Sequence, residues 1–75
     1  MGISEIRDMR RKQPFRPFTI DLADGREFPI EHGDFLLISR SERSFVVAEL
    51  EGGYEIIDPM MVTSLSVSEA PAGSS

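Results

Sequence analysis

His32 is the one histidine of the chain, and it stands between Glu31 and Asp34. A histidine beside a carboxylate is a frequent general acid–base pair, and Glu, His and Asp together can hold a hard metal ion. The spacing argues against both uses. Neighbouring residues of an extended chain point to opposite sides, so Glu31 and His32 converge poorly. We read Glu31-His32-Gly33-Asp34 as a surface turn and assign no catalytic residue, no metal ligand and no cofactor. Asp21, Asp24 and Glu27 gather around one stretch of chain. They read as a solvated face, or as charges that keep a sheet edge from pairing with another molecule. Gly52-Gly53 opens a strand pattern rather than a helix, so it is not a phosphate-binding loop. The chain has no cysteine, which removes thiolate nucleophiles, thiolate metal sites and disulfides together. These residues supply no assembled active site, and the expectation is a protein that is not an enzyme.

The second chemistry is phosphate binding. At about 100° per residue, Arg7, Arg10 and Arg11 occupy one arc of a helix, and Lys12 and Arg16 extend it. Residues 1–16 carry five basic groups and two acids, whereas residues 17–75 carry three basic groups and eleven acids. Such an arc could contact a polyanion. The net charge of −5 and a pI near 4.7 oppose it. Nucleic-acid binding through Arg7, Arg10, Arg11, Lys12 and Arg16 is therefore the alternative reading.

The elements that must position these residues follow from periodicity. Residues 4–13 read as a short helix, with Ser4 suited to the N-cap and Glu5 to the positive end of the helix dipole. Ile3, Ile6, Met9 and Gln13 form one stripe. Pro14 stops the helix, because the residue before a proline is pushed out of the helical region. A helix of this length is unstable alone in water and must dock its stripe. Phe15, between Pro14 and Pro17, is expected to pack the helix against the rest.

Phe18–Leu22 and Arg26–Glu31 each alternate apolar and polar residues, the signature of half-buried strands. A three-residue loop, Ala23-Asp24-Gly25, sets Ile20 opposite Phe28 and Phe18 opposite Ile30, which collects four apolar residues on one face. Such a loop is a type I turn closed by a residue at positive φ, the place of Gly25. Gly25→Val is accordingly expected to destabilise more than Gly52→Val. Further strands are expected at Phe35–Ile38, Ser44–Leu50, Tyr54–Ile57 and Val62–Val67. A helical turn with Pro59 at its first position precedes the last of them.

Short strands joined by tight loops predict a mainly β fold, a small barrel of five to six strands with a short N-terminal α-helix. It forms a single domain over residues 1–68, and residues 69–75 read as a disordered tail. Phe18, Ile20, Phe28, Ile30, Leu37, Val47, Ile56 and Leu65 are the expected core. Phe35–Ile38 and Phe45–Ala48 are apolar in both phases, yet a small barrel has one interior. The other phase must be covered from outside, partly by the helix stripe and otherwise by a second copy of the chain.

Gln13-Pro14-Phe15-Arg16-Pro17-Phe18, Leu22-Ala23-Asp24-Gly25-Arg26, His32-Gly33-Asp34-Phe35 and Ile56-Ile57-Asp58 resemble a family of small uncharacterised bacterial proteins. Its members share a short helix, a "QPFRPF" segment and an "LADGR" hairpin. They often carry proline after the histidine, where this chain has Gly33. The resemblance brings no activity. A looser similarity, to Sm-like and other SH3-like barrels, implies the fold alone. The Asp-x-Φ-Asn and Arg-Gly loops that bind RNA in Sm proteins have no counterpart here, since Arg40-Ser41-Glu42-Arg43 and Asp58-Pro59 do not match them.

No apolar run approaches the length of a membrane span, and the N-terminus lacks the apolar core of a signal peptide. The sequence therefore predicts a cytoplasmic, non-catalytic interaction module that self-associates. It contacts an unknown protein partner and no membrane.

Overall fold

The computed structural model describes residues 2–67. The expected tail, residues 69–75, lies outside the described residues. Helix α1 spans Ile3–Arg11 and is followed by β1 (Phe18–Leu22), β2 (Glu27–Ile30), β3 (Leu36–Ile38), β4 (Phe45–Ala48), β5 (Tyr54–Ile57) and β6 (Val62–Val67). Two 3-10 turns, Gly33–Phe35 and Pro59–Met61, precede β3 and β6. No described helix is long and apolar enough to cross a membrane.

The strands form two antiparallel three-stranded sheets, β2-β1-β6 and β3-β4-β5. This is the expected mainly β fold with one helix, but the strands do not close into a barrel. Each passage between sheets is taken by a 3-10 turn, so no strand continues from one sheet into the other. β2 also contains Pro29, which cannot donate to a further ladder.

The first hairpin has the register that its alternation dictates. Phe18 faces Ile30, Ile20 faces Phe28, and Asp21 faces Glu27. The Leu22 amide donates to the Arg26 carbonyl at 2.9 Å. Gly25 has φ +94°, as the loop requires. Gly52 has φ +96°, so the expected difference between these two glycines disappears.

On its other side β1 pairs with β6. Ile20 faces Leu65 and Asp21 faces Ser64, but Leu22 faces Val62. Thr63 is the extra residue of a bulge, and its hydroxyl donates to the Asp21 carbonyl at 3.1 Å. The bulge resets the strand phase, so Val62 and Leu65 both turn inward although three positions separate them. Just before it, Pro59 holds the first position of its turn, and the Asp58 carboxylate accepts the Met60 amide at 2.9 Å.

The helix starts one residue before the expected N-cap. Gly2 occupies that place without a side-chain bond, and the Ser4 hydroxyl donates instead to Glu5 at 3.3 Å. The helix ends at Arg11, because Lys12 is already extended.

Ile6 is fully buried in one core with Phe18, Ile20, Leu22, Ile30, Leu36, Phe45, Val47, Ile57 and Val62. Ile3, Met9, Phe15, Phe28 and Leu65 pack around it. Phe15 meets Phe18 with ring centroids 6.0 Å apart, so it does hold the helix end against the sheets. Gln13, the last member of the expected stripe, is exposed.

Two expected core residues are wrongly phased. Leu37 and Ile56 point outward, and Leu36 and Ile57 take the interior. The chain there is apolar at successive positions, so alternation could not choose between the phases.

Candidate functional site

Consider the β3-β4-β5 sheet from its pairing. Leu37 lies opposite Val46, and Val46 lies opposite Ile56. These three residues make a row straight across the sheet. One step along, Ala48 faces Tyr54, which shares a strand face with Ile56. The inner face holds Leu36, Ile38, Phe45, Val47 and Ile57, so this row belongs to the outer face. Leu37 is 63% exposed, Ile56 69% and Tyr54 73%. An antiparallel sheet commonly packs one face on the core and solvates the other with polar residues. Here both faces are apolar.

The helix does not cover the outer row, contrary to expectation. Its central residue, Ile6, is spent inside the core. A nine-residue helix buries one narrow stripe, and the interior between the sheets takes it.

The five basic residues expected to act as one arc are divided. The Arg10 guanidinium donates to the Leu36 carbonyl at 2.7 Å and the Gly33 carbonyl at 3.1 Å, tying the helix to the start of β3. Arg7 forms an ion pair with Glu42. Arg11, Lys12 and Arg16 are exposed. The fold adds a cation that the sequence did not place there. Arg40, from the β3–β4 loop, lines a cleft with Arg7, Arg10, Arg11 and Glu42. That cleft is strongly basic, with four arginines against one glutamate.

At the opposite end of the same sheet the balance inverts. A second cleft runs between β2 and the β4–β5 turn, and its charged residues are Arg26, Glu27, Glu49, Glu51 and Glu55. Phe28, Pro29 and Leu50 supply its apolar wall. Arg26 is held by its neighbours. It donates to Glu55 at 2.9 Å and to Asp24 at 2.9 Å, and lies 5.6 Å above the Phe28 ring. These bonds, the one from Glu55 first, raise the affinity of its guanidinium for the proton. The Asp24 carboxyl is held below its ordinary value of 3.8, chiefly because it accepts the Arg26 backbone N–H.

His32 is exposed, and its ring packs edge-on against Phe35 at 5.5 Å. Glu31 and Asp34 are exposed beside it. Among the described residues, no three His, Asp or Glu side chains converge as a metal site.

Sequence reasoning missed Leu37, Tyr54 and Ile56 as surface residues and Arg40 as a partner of the helix arginines. The signal for the first was present in part. Two runs apolar in both phases required a covered exterior, but did not say which phase it was. The Arg40 position depends on loop geometry. Glu42 takes φ +63° there, and neither periodicity nor composition predicts it. Compared with family models, curated proteins and solved structures, the chain matches none.

Proposed function

We propose that the chain is a cytoplasmic, non-catalytic interaction module that self-associates through the outer face of β3-β4-β5. Its frame reads as an opened SH3-like barrel, in which two three-stranded sheets enclose the core. One observation carries the reading: Leu37 and Ile56 lie exposed on either side of half-buried Val46, on a sheet whose other face already fills the core. Contiguous exposed apolar surface on a small soluble domain commonly marks an interaction site. A domain of this size also buries a smaller share of its surface than a larger one does, so association adds stability that folding alone does not supply.

Nucleic-acid binding is the weaker reading. Arg10 is engaged with two carbonyls and Arg7 with Glu42, which leaves fewer free cations than the sequence promised.

Sedimentation equilibrium tests the proposal. The wild type should dimerise at micromolar concentration, and Leu37→Ser with Ile56→Ser together should leave a folded monomer. A wild type that stays strictly monomeric to about millimolar, the weak end of the affinity scale, overturns it. Binding to an oligonucleotide that weakens steeply with salt would favour the phosphate reading instead.

A further inference from the structure

The exposed row crosses a sheet whose two ends carry opposite charge, and together they specify how a partner would sit. β3 runs into the 39–44 loop, β4 returns, and the 49–53 turn leads into β5. Exposed Arg40 and Arg43 therefore stand at one end of the strands, and exposed Glu49 and Glu51 at the other. The apolar row crosses the sheet between them. A surface with an apolar band and opposite charge at its two ends is complementary to itself after a half-turn that exchanges the ends.

Resting on the self-association reading above, we infer that the partner is a second copy docked by a two-fold axis lying in the interface and running across the strands. Each row then stacks on its own counterpart, and the Arg40 end of each copy covers the Glu51 end of the other. The competing two-fold runs along β4. It brings Leu37 over the partner's Ile56 and sets basic end on basic end, which like-charge repulsion disfavours. A two-fold contact is isologous and closed, so association stops at two copies.

The two geometries differ in which residues meet, and single cysteines report that directly because the chain has none of its own. Facing sheets stand roughly 10 Å apart, too far for most direct disulfides, so a short bis-maleimide reagent is the probe. In the full chain, Leu37→Cys should cross-link with itself, and so should Ile56→Cys. A mixture of the two variants should give little additional mixed product. Arg40→Glu should weaken the dimer by about 5-fold, the scale of surface ion pairs, and adding Glu51→Arg should restore it. All these residues are exposed, and circular dichroism of each variant checks that folding is intact.

Cross-linking seen only in the mixture overturns the proposed axis while leaving self-association in place. A dimer that none of these cysteines can cross-link overturns the face as well. A wild type that is monomeric fails the earlier reading, and this one with it.

Discussion

The two sheets have the same number of strands and share one core, yet their outer faces are built from different chemistry. On β2-β1-β6 the outer positions are Thr19, Asp21, Glu27, Pro29, Ser64 and Ser66. Asp21 accepts the Ser64 and Ser66 hydroxyls at 2.8 Å each, so this face carries its own hydrogen-bonded network and is finished in water. On β3-β4-β5 the corresponding positions are Leu37, Val46, Ala48, Tyr54 and Ile56. Nothing polar finishes that face. The contrast teaches that the core alone does not explain the composition of this chain. One outer face is polar and hydrogen-bonded to itself, and the other is apolar and exposed.

The largest effect that separates inside from outside is a pair of truncations. Ile20 is completely buried, and Ile20→Ala should cost about 2–5 kcal/mol in denaturant unfolding. A domain whose total margin is about 5–15 kcal/mol would be near collapse. Ile56→Ser, measured at a concentration where the protein is monomeric, should cost less than about 1 kcal/mol. Equal losses at the two positions would show that Ile56 is part of the core, and the contrast between the faces would fail.

Next in size are the turns that close a hairpin in each sheet. Gly25 and Gly52 have φ of +94° and +96°, and the space a Cβ would enter is open at both. Only backbone conformation opposes substitution, so Gly25→Val and Gly52→Val should each cost about 1–3 kcal/mol. Calorimetric melting of both variants checks this. A marked inequality would mean that one sheet tolerates distortion of its turn better than the other.

The smallest effect belongs to the surface charges around Arg26. Asp24 is held ionised by Arg26, which also bonds Glu55 across the gap. Its folded-state pKa lies below the unfolded value of 3.8, so the native state favours the charged form. That contribution is complete above the unfolded value and is lost as pH falls through the lower, folded value. Melting temperature should therefore decline below about pH 4, and Asp24→Asn should make the decline shallower. The effect is modest because the group is at the surface. An unchanged acid profile in Asp24→Asn would show that Arg26 does not hold the Asp24 carboxyl in its charged form.

How much of this could be read from residues alone differed between the same two sheets. The first hairpin was legible down to its register, because Phe18–Leu22 alternates cleanly and Asp24-Gly25 permits one consistent loop. The second sheet was legible as strands but not in phase. Leu36-Leu37-Ile38 and Ile56-Ile57 offer an apolar residue to either side, and packing against the rest of the molecule decides between them. Glu55 lies half-buried on the inner side of β5 and is bonded to Arg26, a partner in another element. The helix arginines show the same limit. Their spacing on an arc was correct, but Arg10 is consumed by carbonyls that only the folded chain brings near.

The pairing of β1 with β6 has a kinetic consequence. Asp21 and Ser66, joined by a side-chain bond in the first sheet, are 45 positions apart in the chain. The second sheet is a meander of adjacent strands that closes short loops. Loop closure grows costlier with length, so the meander can form first and the first sheet last. During that interval β3-β4-β5 presents apolar residues on both sides at once. Refolding yield should accordingly fall with protein concentration more steeply than the stability of the native state would imply, because the early species is the stickier one.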